Sequence, residues 1–443
     1  MVRRAVGSAL DCRIECLKLQ NVRIHRTFER PFASRSMVIV GDNGRGKTTI
    51  LDALAAILRA MTDPADKGEA LRDEDVTEEL SFHGEMFTAE QRYPAKVSAV
   101  MRLQDSESTT EVLTRSELGA TREGALSGFM DRLFERVRAH VPVDLPLCAY
   151  YGIARAHLPT ERVALEVTAP SSRLSGYAQA LDRRIDPLSF QRWFKTMELA
   201  ALQDRKLNVV LETVREAVRG CVEACESVQH VVARDEIMLR FQDGELRPFR
   251  HLSDGYRLTV AMVADLAWRC VTLNPHLGPA ALEETSGIVL IDEIDLHLHP
   301  RWQRHIVEDL RRTFPRLQFI ATTHSPFIVQ SMNSDEVIPL SGPAHLDKPP
   351  YKRGIEEVSR DVLGVEDVER SQRFLEMQHA AESLIALLEQ AEKPDAQKVE
   401  EARARYLELA ARYGDDPAYL AVLKAEGAVR GVRLDTRQGA AHQ

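Results

Sequence analysis

The segment Gly41-Asp42-Asn43-Gly44-Arg45-Gly46-Lys47-Thr48 spells G-x4-G-K-[ST]. Such a loop bends its backbone N–H groups around a β-phosphate, because glycine relieves the side-chain crowding that the bend creates. Lys47 is expected to reach the β- and γ-oxygens, and the Thr48 hydroxyl to ligate Mg²⁺. Asn43, Gly44, Arg45, Gly46 and Thr49 complete the expected nucleotide contacts. A second chemical signal is Ile288-Val289-Leu290-Ile291 running into Asp292-Glu293. Asp292 fits a carboxylate that holds the metal through water, and Glu293 a general base acting on the attacking water.

Two further segments carry polar chemistry at the edge of a structural element. Leu252-Ser253-Asp254-Gly255-Tyr256-Arg257 opens a helix, and Ser253 reads either as a plain N-cap or as part of an anion site at the helix N-terminus. Phe319-Ile320-Ala321-Thr322-Thr323-His324-Ser325 is a strand that ends in a histidine. His297, His299, His305 and His324 do not spell a catalytic zinc site, and the C-x3-C pairs Cys12/Cys16 and Cys221/Cys225 would bind zinc only if they met in space. Trp193 and Trp302 fall on helical faces and read as packing residues.

These groups need an α/β frame to hold them. Ser36–Val40 is a strand leading into the glycine loop, and Ile50, Leu51, Leu54, Ile57 and Leu58 recur at helical spacing beyond it. Gly287–Ile291 is a continuous apolar run, as in a buried parallel strand. A helix over 301–314, a strand over 317–322 and a helix from Pro326 continue the β-α-β alternation. Residues 13–24 alternate as a strand, 93–116 as an antiparallel hairpin, and 237–249 as a hairpin around Asp243-Gly244. Helical periodicity covers 122–140 and 176–225, and the acidic stretch 61–80 reads as an exposed insertion. Beyond Gly342-Pro343, helices are expected over 366–391 and 395–413, with a third after Asp416-Pro417 and Gly414 as a C′ residue.

Composition sets the outer bounds. The chain has 443 residues, 44% hydrophobic and 28% charged, with six cysteines that read as reduced thiols. A net charge of −9 disfavours a surface devoted wholly to nucleic acid. Charge is nevertheless segregated: residues 1–60 carry eleven Lys/Arg against five Asp/Glu, and 61–80 carry two against eight. No apolar run reaches the roughly 18 residues of a membrane span, so a cytoplasmic protein is expected.

The order of phosphate loop, Leu-Ser-Asp-Gly helix, Asp-Glu strand and Thr-His-Ser strand resembles the ABC-type ATPase heads shared by SMC, RecF and related proteins. The resemblance covers about residues 13–340 and implies an α/β P-loop fold, a mixed sheet lobe with a helical lobe over roughly 117–235. The domains would then be 1–342 for the head and 343–443 for a C-terminal helical module. It further implies ATP with Mg²⁺, hydrolysis by a homodimer or higher oligomer, and a site in which Ser253, Asp254 and Gly255 close on the γ-phosphate held by the partner. His324 would be the switch histidine and Asp295 the D-loop aspartate that crosses the same interface. Asp254 replaces a commoner glycine, which puts the strength of the trans contact in question. No glutamine stands out as the Q-loop residue, and Tyr150-Tyr151-Gly152 is the place to seek its equivalent.

The strings Tyr150-Tyr151-Gly152, Leu252 to Arg257, Ile291 to Pro300 and Thr323-His324-Ser325-Pro326 are similar to the bacterial stand-alone ATPases of Septu and retron antiphage systems. That resemblance implies a separate HNH-type nuclease partner, with nucleic acid reached through the complex. Lys47 and Asp292 lie 245 residues apart, too close for the long heptad arms of SMC proteins. Residues 343–443 lack a strand-borne acidic cluster, so no intrinsic nuclease is expected. Two other readings stay open: a weakly hydrolysing ATP-gated scaffold, and a RecF-like repair ATPase that binds DNA directly if Arg173, Arg183 and Arg184 gather on one face.

Overall fold

Apolar runs bounded by polar loops account for the arrangement of the strands. The computed structural model describes residues 10–63, 71–83, 86–104, 107–153, 172–184, 187–204, 208–341, 346–365, 372–389 and 396–412. The chain begins with β1 (Leu10–Val22), β2 (His25–Pro31), β3 (Ser36–Val40), α1 (Lys47–Thr62), β4 (Glu78–His83), β5 (Met86–Gln91), β6 (Ala95–Gln104), β7 (Glu107–Ser116) and β8 (Gly119–Glu123). It continues with α2 (Leu126–Arg138), β9 (Leu147–Tyr151), α3 (Pro187–Asp204), α4 (Val209–Cys221), β10 (Cys225–Val231), β11 (Glu236–Phe241), β12 (Leu246–Pro248), α5 (Asp254–Leu273) and α6 (Ala281–Glu284). The remainder is β13 (Gly287–Ile291), α7 (Pro300–Gln303), α8 (Ile306–Thr313), β14 (Leu317–Thr323), α9 (Pro326–Gln330), β15 (Val337–Pro339), α10 (Ile355–Asp361), α11 (Gln372–Glu389) and α12 (Ala396–Arg412).

The central sheet has the order β15-β3-β14-β13-β9 and every pairing in it is parallel. All five strands are buried along their length, which explains why they read as unbroken apolar runs rather than alternating ones. Because the strands run the same way, the loops that follow β3, β13, β14 and β9 emerge at one sheet edge, where open α/β sheets bind ligands. A second sheet, β2-β1-β6-β7-β8, is antiparallel. The two sheets are joined by Gln318, fully buried on β14, whose amide accepts from Ile14 N at 2.7 Å and donates to Ile14 O at 2.9 Å.

Helix α5 supplies the apolar mass between α4 and the sheet: Leu258, Val260, Val263, Leu266, Ala267 and Leu273 are all buried. A short antiparallel sheet β10-β11-β12 follows the hairpin expected around Asp243-Gly244. Three readings of the sequence change. The helix expected over 301–314 is broken at Arg304-His305 into α7 and α8, and His305 has φ −134°. The lobe expected over 117–235 holds α2, α3 and α4 but also β9, which belongs to the parallel sheet. The acidic stretch is anchored rather than free in its described part, since Leu71, Val76 and Thr77 are buried and Asp75 pairs with Arg23 at 2.7 Å.

The chain divides into two compact units, residues 1–364 and 365–443. The division falls later than 342/343 because α10 packs on α9 and keeps that segment with the first unit. In the second unit α11 and α12 pack on each other, with Ala381, Leu384, Tyr406 and Leu409 buried. Gly414 and the helix expected after Asp416-Pro417 lie outside the described residues.

Candidate functional site

The glycine loop joins β3 to α1, as its spelling requires. Gly44 and Gly46 have φ of 77° and 83°, where an L side chain is strained. A Cβ at Gly46 would moreover lie 2.4 Å from His25 Nε2, so the His25 and Ile24 side chains would have to shift to admit one. The Lys47 ammonium donates to Gly41 O at 2.7 Å and Asp42 O at 3.0 Å, so it lies across the mouth of the loop. Burial lowers its pKa, and the carboxylates of Glu293 and Asp292 oppose that shift. Asn43, Gly44 and Arg45 are exposed on the loop, and Thr49 is buried at the start of α1.

Asp292 follows β13 and is almost fully buried, with 3% of its surface exposed. Thr48 Oγ1 donates to its Oδ2 at 2.9 Å, and Thr322 Oγ1 on β14 donates to its Oδ1 at 2.6 Å. The next residue, Glu293, has φ +49°, a left-handed conformation that costs a non-glycine residue about 1–2 kcal/mol. Its N–H is secured by Thr322 Oγ1 at 2.7 Å, and the following turn by Ile294 N to Thr322 O at 2.9 Å and Leu296 N to Glu293 O at 2.9 Å. Thr323 Oγ1 donates to Asp295, so the aspartate side chain is tied to β14 of its own chain. His324, half-buried, follows immediately. Strand β14 thus brings His324 to the same edge as Lys47, Thr48, Asp292 and Glu293.

Ser253 occupies the N-cap position of α5, but its side chain makes no capping hydrogen bond and it is exposed. The plain-cap reading is therefore set aside. Asp254 is also exposed, and a hydrogen bond from Arg257 holds its carboxyl below the usual range. Gly255 is buried for a reason within its own chain. A Cβ at this position would sit 2.1 Å from the carbonyl oxygen of His297, itself at φ +61°. The start of α5 and the Asp295–Leu298 turn consequently meet backbone to backbone.

Asp52 and Asp265 carry no local sequence signal, yet each accepts a hydrogen bond from the Tyr150-Tyr151-Gly152 strand end singled out in the sequence. Asp52, one turn past Thr48 on α1, accepts from Arg23 at 2.7 Å, from Tyr150 OH at 3.0 Å and from Arg183. Tyr151, on the other face of β9, donates to Asp265 on α5 at 2.7 Å, and Asp265 pairs with Arg269 at 2.8 Å. Burial pushes both phenols well up. Asp292 N donates to Tyr151 O at 2.8 Å, so the Tyr150-Tyr151-Gly152 strand end lies directly beside Asp292.

The arginines proposed as a DNA face are otherwise engaged. Arg173 is turned inward onto the carbonyls of Leu273 and Val143, Arg183 pairs with Asp52, and Arg184 pairs with Asp182. His299 Nδ1 accepts from Arg301 N at the start of α7, and His305 pairs with Asp309. Trp302 and Trp193 are buried, with the Tyr256 ring 4.7 Å from that of Trp302. All six cysteines are free, and burial pushes the Cys221 thiol up to about 12. Among the described residues no three His, Cys, Asp or Glu side chains form a metal cluster, and no helix is long and apolar enough to cross a membrane.

A family model described as "AAA domain, putative AbiEii toxin, Type IV TA system" matches residues 36–330. The chain belongs to this family. It is similar to the Retron Vc95 probable ATPase of Vibrio cholerae serotype O1 biovar El Tor, 25% identical over 358 residues and covering 68% of each chain. It is 28% identical over 201 residues to the Septu protein PtuA of Bacillus thuringiensis, covering 42% of this chain and 50% of that one. Among solved structures, the SMC head domain from Thermotoga maritima matches 72% of this chain and 92% of its own at 15% identity, with a TM-score of 0.39.

The AAA-family chain is a P-loop ATPase. Its residues fit Mg²⁺: the Thr48 hydroxyl and the Asp292 carboxylate already converge to 2.9 Å, an oxygen pair of the kind this cation prefers. They fit a triphosphate as well, because the left-handed glycines turn the loop into a concave row of N–H groups at the N-terminus of a sixteen-residue helix.

Proposed function

We propose that this ATPase acts as a head-to-tail dimer, each ATP being held by Lys47 and Thr48 of one protomer and by Ser253 of the other. Within a protomer, Lys47 swings from the carbonyls of Gly41 and Asp42 to the β- and γ-oxygens. Glu293 takes the proton of the attacking water, and His324 meets the γ-phosphate. Thr48 and, through water, Asp292 would hold Mg²⁺, which would supply charge neutralisation at the β- and γ-phosphates. The nucleotide state then governs an associated effector, proposed to be a separate HNH-type nuclease acting with it in antiphage defence. The likeness to retron and Septu proteins supports that part of the reading.

The observation that carries the shared site is Ser253. It stands exposed at the N-terminus of a twenty-residue helix, where hydroxyl and helix dipole attract an anion, yet it caps nothing in its own chain. Steady-state phosphate release tests the hydrolytic reading. Wild type should turn over ATP, whereas Glu293→Gln should bind ATP and release almost no phosphate. Equal turnover by the two proteins would remove Glu293 from the reaction and the proposal with it.

A further inference from the structure

Gln303, the last residue of α7, lies at a junction that the phosphate chemistry does not use. Its Nε2 donates to Leu298 O at 2.9 Å and to Asp295 O at 3.4 Å, while its Oε1 accepts from Ser325 Oγ at 2.6 Å. The amide orientation follows from the surrounding bonds. Ser325 Oγ accepts from Phe327 N at 3.1 Å and Ile328 N at 3.4 Å, so its proton is available for Gln303, and both backbone partners of Nε2 are acceptors. One planar side chain therefore clasps the turn that follows Glu293 to the residue that follows His324.

The neighbouring bonds show what the clasp holds. His324 is flanked by Thr323, bonded to Asp295, and by Ser325, bonded to Gln303. Ser325 N in turn donates to Thr323 Oγ1 at 3.0 Å. On the other side, the turn from Glu293 to Leu298 contains two non-glycine residues at positive φ, Glu293 and His297. A backbone of that kind persists only where its surroundings over-determine it, and Gln303 fixes its far end. We propose that Gln303 is a positioning residue for hydrolysis, locking the Glu293–Leu298 turn to the end of β14 so that the Glu293 carboxylate and the His324 imidazole keep one fixed relation. The roles of Glu293 and His324 in this inference rest on the proposed function; the clasp does not touch nucleotide.

The test measures kcat and KM for ATP in Gln303→Leu and Gln303→Glu, together with ATP-driven association of each. Leucine removes all three bonds. Glutamate keeps the shape but, when ionised, faces the carbonyls of Asp295 and Leu298 with a charge instead of a donor. A displacement of about 1 Å in a catalytic group lowers rate about a hundredfold, so kcat should fall at least about tenfold in both variants. KM and ATP-driven association should stay within about twofold, because the clasp lies outside the phosphate loop. Wild-type kcat in Gln303→Glu, or a rise in KM matching the fall in kcat, would overturn the inference. A wild-type protein that never associates with ATP would instead count against the shared site, and a selective kcat loss at Gln303 would still stand.

Discussion

Thr322→Val isolates the bond pair that fixes Glu293, the general base of the proposed mechanism. The Thr322 side chain is fully buried; its hydroxyl donates to Asp292 Oδ1 at 2.6 Å and accepts from Glu293 N at 2.7 Å. Valine preserves the shape, so packing changes little. The lost bond to a carboxylate costs about 1.5–3 kcal/mol, and the stranded Glu293 N–H about 1–3 kcal/mol more. If the turn then leaves the left-handed region at Glu293, about 1–2 kcal/mol returns. The net expectation is a loss of about 0.5–5 kcal/mol, centred near 3, for the first unit in urea unfolding, with the slope unchanged. Because the same N–H fixes the backbone that carries the Glu293 side chain, kcat for phosphate release should fall about thirtyfold to a hundredfold. Thr322→Ser restores the hydroxyl and should return both quantities to near wild type. A Thr322→Val protein with wild-type stability and turnover would refute the reasoning that this hydroxyl holds the strained turn.

Ser253→Ala should leave unfolding free energy within about 0.5 kcal/mol of wild type, since no cap is lost, while ATP turnover falls sharply; a clear loss of stability would restore the plain-cap reading. Gly255→Ala places a Cβ 2.1 Å from the His297 carbonyl and should cost about 1–3 kcal/mol in denaturant titration, with a fall in kcat; unchanged stability would show that the turn can yield freely. His25 is held below the imidazole value of 6.5, first by burial, against an opposing hydrogen bond to Gly46. Protonation thus favours the unfolded chain, and the stability tied to neutral His25 is complete above pH 6.5 and declines below it. Between pH 7.5 and 5.5, His25→Gln should lose less stability than wild type, and parallel pH curves would contradict this.

Much of the site was readable because its signals are local. The glycine loop lies between β3 and α1 as its spelling implies, and Gly287–Ile291 is a strand because a parallel strand buried on both faces must be apolar throughout. The hairpin over 93–116 was legible in a weaker alternation, which one covered face of an antiparallel sheet imposes. What escaped is long-range. Thr322 and Asp292 are 30 residues apart, and Asp52 and Arg183 are 131 apart, so no periodicity or turn chemistry announces that they touch. Thr322 and Thr323 read as ordinary strand residues beside the more conspicuous His324. Ser253 stood open between two readings: residue type and position allowed a cap or an anion site, and only the geometry separates a serine at the cap site from one that caps. The helix expected over 301–314 failed for a related reason. Gln303 is committed to the Asp295–Leu298 turn, and the chain breaks at the two residues that follow.

The proposal that each triphosphate is enclosed by two copies of the chain is tested most directly by sedimentation of Glu293→Gln with saturating Mg-ATP. A species of twice the 49.8 kDa of one chain is expected, and it should revert to monomer when Ser253→Arg is added, with ATP still bound by each protomer. A monomer that holds ATP, or a dimer indifferent to Ser253→Arg, would contradict the shared site.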